Sequence, residues 1–227
     1  IALKIAGLIV AFLRFLMGDD TAITRYFNRN RERKGYDALA EGMMALASGD
    51  GKQALVKAEK ADRYLQRPDL TTLLTAQAAE LSGDRGKAEQ AYKRLLQDDK
   101  TRFVGVRGIM KQKLAAGETD VALRLAEKAF ALKPKHEDTQ DVLLKLQAND
   151  SDWSGARKTL GAKLKHGNLP RDVHRRRDAV LALGEARDIV EAGNSIEARE
   201  TAIAANRMSP GLVPAAVMAS DAYVDQG

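Results

Sequence analysis

Cysteine is absent from this chain of 227 residues, and it contains only three histidines and one tryptophan. Without cysteine the chain has no disulfide bond, no zinc–thiolate site and no cysteine nucleophile. The histidines, His136, His166 and His174, lack the spacing that places two metal ligands on one helix face. No glycine-rich dinucleotide or phosphate loop is found, and no nucleophile elbow. We therefore predict no catalytic, cofactor-binding or metal site, and a protein that is not an enzyme.

Aromatic residues are also few, at 5% of the chain, although 44% of all residues are hydrophobic. Most of the apolar residues are alanine and leucine, which favour helices and pack closely between them. The composition therefore predicts an all-α fold. The formal net charge is +6, but no aromatic residues interleave with the arginine cluster at 175–177 and no nucleic-acid-binding module is recognisable. We expect no nucleic-acid partner.

The longest apolar run lies at residues 1–17 and is interrupted only by Lys4 and Arg14. As a helix it would be about 25 Å long, slightly short of a bilayer core. Because the chain begins with Ile, we expect further residues upstream. We predict a truncated membrane-anchor helix at 1–18 and a basic juxtamembrane segment at 19–35. The alternative is an amphipathic helix that lies on the bilayer or docks on the rest of the chain.

Basic residues follow the apolar run closely, which by the positive-inside rule places the downstream chain in the cytoplasm. Tyr26 and Phe27 are expected at the level of the lipid headgroups. The predicted membrane-proximal basic residues are Arg25, Arg29, Arg31, Arg33 and Lys34.

Five six-residue segments share one pattern, in which a turn residue and a polar residue are followed by alanine at the sixth position. The segments end at Ala54, Ala88, Ala122, Ala156 and Ala198, with spacings of 34, 34, 34 and 42. A period of 34 is that of tetratricopeptide repeats, which are pairs of antiparallel helices. We therefore predict an all-α, tetratricopeptide-like right-handed α-solenoid over residues 36–227. Its repeats are expected at about 36–68, 69–102, 103–136, 137–170, 171–212 and, in part, 213–227.

Each segment has a local physical explanation. The glycine ends one helix in a left-handed conformation, and the following Asp, Asn or Ser caps the next helix. The alanine then lies where two helices cross closely. Apolar residues continue four and seven positions later, except that the fourth repeat has Lys163. The helical pairs are predicted at about 36–64, 70–97, 103–132, 138–165 and 173–207, and a loop with a lengthened helix is expected between the fourth and fifth segments.

Stacked helical pairs expose the first helix of each pair along one face, where polar side chains can hold a segment of a partner protein. Projecting the helical register predicts a partner-binding groove lined by Tyr36, Leu39, Met43, Leu73, Gln77, Glu80, Arg107, Lys111, Asp138, Asp141, Lys145 and Arg187. Separately, Arg175, Arg176 and Arg177 would suit an anionic group such as a propionate. The alternative for these arginines is a solvated helix face.

The N-terminal segments carry a family resemblance. Residues 25–39 read RYFNRNRERKGYDAL, and they are followed by EGMMA at 41–45 and Gly49-Asp50. This junction of apolar run, arginine-rich stretch and Gly-Tyr-x-Ala-Leu resembles the N-terminal domain of the HemY family. LLTAQAA at 73–79, Arg107-Gly108 and LVPAA at 212–216 are also similar to that family.

The resemblance implies a bacterial inner-membrane protein whose tetratricopeptide repeats face the cytoplasm and which is associated with haem or tetrapyrrole biosynthesis. Such a protein would hold biosynthetic enzymes, ferrochelatase for example, rather than catalyse a step. Two alternatives stay open: a general peptide-binding adaptor for the assembly of membrane complexes, and direct binding of haem or porphyrin through His174 and the adjacent arginines.

Overall fold

The computed structural model describes residues 22–192 and 195–224, together with the isolated positions 4, 7, 8, 10 and 12. Within this part of the chain all regular structure is helical, with eleven α-helices and no strand. The predicted anchor at 1–18 lies outside the described residues except at those isolated positions. Among the described helices, none combines the length and the apolar character needed to cross a bilayer.

Short turns join the helices into successive hairpins. The helices are α1 (Ala22–Ala47), α2 (Gly51–Tyr64), α3 (Pro68–Leu81), α4 (Arg85–Leu95), α5 (Asp99–Ala115), α6 (Thr119–Leu132), α7 (Glu137–Asn149), α8 (Trp153–Lys165), α9 (Arg171–Glu191), α10 (Ser195–Met208) and α11 (Val213–Val224). The chain forms two compact units, residues 1–105 and residues 106–227.

The turns between first and second helices are built as the repeat pattern predicts. Gly49, Gly83 and Gly117 have φ angles of 81°, 82° and 76°, in the left-handed region that a glycine adopts without a steric penalty. In the fourth repeat Ser151 takes this conformation, with φ 57°. The next residue then caps the following helix; the Asp50 carboxylate, for example, accepts from the Gln53 backbone N–H at 2.9 Å.

The same capping contact recurs in two other described repeats. Asp84 accepts from the Lys87 N–H at 3.0 Å, and Asp152 accepts from the Gly155 N–H at 2.9 Å. At the third repeat, Glu118 precedes α6 without a side-chain cap. Helix starts are therefore specified by the short carboxylate of aspartate at three of the four positions described.

Alanine forms much of the core between paired helices. All five repeat-defining alanines are buried, with exposed fractions of 0% or 1%. In residues 1–105, Ala54 lies in one apolar cluster with Ala45 and Ala78, and so joins three successive helices. In residues 106–227, Ala122 packs with Met110 and Leu143 in the same way. Small side chains allow the close helix approach that the period predicts.

Two helices are longer than their counterparts. Helix α1 begins at Ala22, well before the predicted start near residue 36, so the basic segment at 25–34 is helical. Helix α9 extends over 21 residues, which accounts for the longer spacing before the fifth repeat. Trp153 lies against Gly184 of α9, and its indole N–H donates to the Asp188 carboxylate at 2.5 Å.

Candidate partner-binding site

In residues 1–105, the first helices α1 and α3 pack side by side and carry six of the predicted groove residues. Tyr36 and Met43 are exposed by 47% and 60%, and Gln77 is also exposed. Leu39 and Leu73 are only partly exposed, and Leu39 packs against the cluster of Ala38, Ala61 and Leu65. The predicted residues of this unit therefore differ in exposure, and Leu39 contributes to the core.

Two polar contacts hold the edges of this face. The Tyr92 hydroxyl of α4 donates to the Glu80 carboxylate at 2.5 Å, so Glu80 is fixed by its own hairpin. At the start of α3, Arg67 and Asp69 form two hydrogen bonds of 3.0 and 2.9 Å. The guanidinium of Arg67 lowers the pKa of the Asp69 carboxyl, and Asp69 in turn raises the pKa of Arg67, with a smaller contribution from Tyr36.

In residues 106–227, an ion pair joins two predicted groove residues on successive first helices. Arg107 Nη2 of α5 lies 3.6 Å from Asp138 Oδ2 of α7. Lys111, Lys145 and Arg187 are exposed. Arg107 and Asp138 therefore contact each other between two helices, and the other three cations of the predicted set are in contact with solvent.

Asp141, another predicted groove residue, is paired with a lysine that lies almost entirely in the interior. Lys163 of α8 has 3% of its side chain exposed, and its Nζ lies 2.5 Å from Asp141 Oδ1 and 3.9 Å from Glu137 Oε1. The ammonium group is compensated in this way, as a buried charge must be. Asp141 therefore stabilises the fourth hairpin, in addition to presenting 53% of its side chain to solvent.

A cavity of about 660 Å³ lies between α7, α8 and the lengthened α9, a volume typical of ligand-binding clefts. Leu144 and Leu160 form its apolar side on α7 and α8. Helix α9 contributes Asp172, Val173, Arg176, Arg177, Val180 and Leu181. The sequence alone does not reveal this cavity, because its lining comes from three helices and only the arginines attract attention locally.

Only part of the arginine cluster at 175–177 lines this cavity. Arg176 and Arg177 line it, whereas Arg175 and His174 are not among its lining residues. All three arginines are exposed, and none of their guanidinium groups makes an ion pair or hydrogen bond with another described residue. The proposed group of one histidine and three arginines is therefore not brought together around this cavity; two of the arginines are.

The basic cluster at 25–34 is exposed on α1. Two of its members make side-chain hydrogen bonds with described residues: Arg31 donates to the Arg63 carbonyl at 3.0 Å, and Arg33 donates to the Asn30 side chain at 3.2 Å. Tyr26 and Phe27 beside them are 68% and 64% exposed, with ring centroids 6.0 Å apart. A positive surface with two exposed aromatic rings therefore marks the start of α1.

The tandem hairpins, left-handed turns and buried alanines together define a tetratricopeptide-type all-α protein. Residues 1–83 match the family described as the HemY protein N-terminus, which confirms the resemblance over that part of the chain. A comparison with curated proteins gave no match.

Solved structures support the fold. The chain is similar to MamA of AMB-1, at 16% identity over 78% of this chain and 92% of MamA, with a TM-score of 0.50. It is also similar to YrrB, described as a TPR protein with an unusual peptide-binding site, at 12% identity over 86% of this chain and 96% of YrrB, with a TM-score of 0.51. At these identities the likeness concerns the fold alone.

Proposed function

We propose that this chain is the repeat region of a membrane-anchored, non-enzymatic scaffold that binds proteins of haem or tetrapyrrole biosynthesis. The observation that carries the proposal is the match of residues 1–83 to the HemY protein N-terminus, on a chain built of tetratricopeptide-type hairpins. In such hairpins each repeat contacts its neighbours, and the outer faces of the first helices are free to bind partners.

The chemistry of these faces suits protein binding. Tyr36 and Met43 provide exposed apolar surface on α1, and Lys111, Lys145 and Arg187 provide exposed positive charge in the second unit. Exposed aromatic and apolar groups, and exposed charged groups, are each found on surfaces that hold a peptide segment of another protein.

The membrane anchor rests on the apolar run at 1–17 and on the surface that follows it. Exposed arginines on α1 would attract anionic lipid headgroups, and Tyr26 and Phe27 would lie at the interface. We expect the natural full-length protein to fractionate with the inner membrane, with its repeats on the cytoplasmic side. A variant without residues 1–17 should lose part or all of that association.

The link to haem biosynthesis is tested by purifying the full-length protein from native membranes under mild detergent and identifying the proteins that accompany it. We expect a late tetrapyrrole enzyme, ferrochelatase for example, to be enriched over a mock purification. Recovery of unrelated envelope proteins without any such enzyme would contradict the proposed link.

A second function is favoured by the exposed cations and by the similarity to YrrB, which is itself described as having a peptide-binding site. In this alternative the chain is a general peptide-binding adaptor for membrane complexes. Its signature would be several unrelated partners, all lost together when Arg107, Lys111 or Lys145 is replaced by alanine. Loss of a tetrapyrrole enzyme alone would favour the first proposal.

A further inference from the structure

The cavity lies beside the lengthened α9, where this helix follows α7 and α8 in the chain. The backbones of α1 and α3 approach closely, as do those of α9 and α11, whereas α7 and α9 approach less closely. The loop and the added turns of α9 lie at this point, where the repeat spacing is 42 rather than 34 residues. The cavity therefore lies at the irregular repeat, and Leu144 and Leu160 line it with apolar groups.

The wall formed by α9 has a regular pattern. Its lining residues fall in adjacent pairs at 172–173, 176–177 and 180–181, so they occupy one face of the helix over about three turns, or roughly 14 Å. Val173, Val180 and Leu181 provide apolar surface, and Val180 is 48% exposed. Between them lie the guanidinium groups of Arg176 and Arg177.

The charged residues in the lining of the cavity indicate which kind of molecule it can bind. Arg176 and Arg177 have no acidic partner among the described residues, and Asp172 is the single carboxylate in the lining. The cavity is thus apolar at its base and carries a net positive charge at its rim. An occupant with large apolar side chains and adjacent carboxylates would satisfy both regions at once.

We propose that this cavity, between α7, α8 and α9, is a docking site for an acidic amphipathic helix of a partner protein. Anchors at i, i+3 or i+4 and i+7 on such a helix would match the length of the lined face of α9. Their insertion covers Leu144, Leu160 and Val180, and flanking Asp or Glu residues pair with Arg176 and Arg177. This site deepens the proposed scaffold function and rests on it, because it specifies what kind of segment the scaffold holds.

The test uses three fluorescein-labelled helical peptides of about 16 residues and the whole chain, with binding followed by fluorescence anisotropy. The first peptide has leucines at the anchor positions and glutamates beside them. The second replaces the glutamates with lysines, and the third replaces the leucines with serines. We expect saturable binding of the first peptide alone, at an ionic strength of about 0.15 M.

Two pairs of variants separate the cavity from general attraction to a basic protein. The double variant Arg176→Ala/Arg177→Ala should weaken binding of the first peptide by about tenfold, which is about 1.4 kcal/mol for two ion pairs at an exposed edge. Arg175→Ala, which removes an adjacent charge outside the cavity, should change affinity less than about twofold.

A second pair of matched variants tests the apolar part of the site. Val180→Ser should weaken binding several-fold, whereas Val190→Ser should leave it unchanged, because Val190 lies on the same helix with a similar exposure of 49% and does not line the cavity. Circular dichroism establishes that all four variants keep the native helix content. Equal effects of the members of either pair, or saturable binding of a porphyrin while the first peptide fails to bind, would overturn the proposal.

The same double variant distinguishes this site from the scaffold function. If the tetrapyrrole enzyme still copurifies from membranes with Arg176→Ala/Arg177→Ala, and the first peptide does not bind the unaltered protein, the docking site is wrong and the scaffold stands. If no such enzyme copurifies with the unaltered protein either, the scaffold function itself fails.

Discussion

The ion pair of Lys163 gives the most demanding test of how this fold is held together. The lysine side chain is 3% exposed, and Asp141 at 2.5 Å is its nearest acidic partner. Replacing Asp141 with alanine leaves the ammonium group in the interior with only Glu137, at 3.9 Å, to compensate it. We therefore expect Asp141→Ala to lower the free energy of unfolding.

The size of the expected loss in unfolding free energy depends on how exposed Asp141 is. Removing one member of a fully buried ion pair costs about 3–5 kcal/mol. Here Asp141 is 53% exposed and Glu137 remains nearby, so water and the second carboxylate offset part of the loss. We expect a loss of about 1–2 kcal/mol. Replacing Lys163 with methionine removes the charge at similar volume, and should change stability by less than about 1 kcal/mol in either direction.

The assay is urea denaturation followed by far-ultraviolet circular dichroism, on the single variants and on Asp141→Ala/Lys163→Met. The double variant should be as stable as Lys163→Met alone, because the carboxylate has no function once the buried charge is gone. Asp138→Ala is the matched control on the same helix: its carboxylate is 73% exposed and lies 3.6 Å from Arg107, so it should cost at most about 0.5 kcal/mol. If Lys163→Met destabilises more than Asp141→Ala, the reasoning is refuted.

Two further predictions concern the first unit. Gly51→Ala should cost about 2 kcal/mol, because the new carbon would lie 2.6 Å from the backbone nitrogen of Ser82. Gly86→Ala should be neutral or stabilising in the same denaturation assay, because the nearest atom to its new carbon would be Asp84 Oδ1, at an ordinary contact distance of 3.8 Å. Arg67 lowers the pKa of Asp69 below its ordinary value of 3.8, so their pair stabilises the fold above that pH and is lost as pH falls through the lowered pKa. Thermal melts should show unaltered protein more stable than Arg67→Gln near neutral pH, with the difference shrinking toward pH 3; a constant difference contradicts the assignment.

The hairpins are predictable from sequence because their determinants are local. A glycine such as Gly83, with its positive φ, and the capping aspartate Asp84 act within a few residues of each other, and Ala88 four residues later packs at the helix crossing. Each determinant recurs at a fixed interval, so the repeats reinforce one another in the sequence. Apart from the start of α1, the predicted helix pairs consequently begin and end within four residues of the observed ones.

The start of α1 is missed for a related reason. Residues 25–34 contain many charged groups and no apolar periodicity, so the helical pattern becomes visible only near Tyr36. Likewise, the register indicates that Arg107 and Asp138 share a face, but their ion pair depends on the packing of two helices. Burial of Lys163 also depends on an acidic group supplied by a different helix, which the local sequence cannot reveal.

The irregular features of the array lie close together in the chain, and this bears on where a binding site is to be sought. Ser151 replaces the turn glycine, Lys163 occupies a position where the other repeats have alanine or leucine, and the longer spacing follows at once. Residues that repeat are those that every hairpin needs in order to pack. Residues that depart from the period are not needed for this packing, and a buried lysine such as Lys163 opposes it. Their presence therefore needs an explanation other than the packing of the hairpin. The cavity lined by Arg176 and Arg177 lies at these departures. The same period that identifies the fold therefore also marks, by its interruption, the place where this chain differs from a uniform stack.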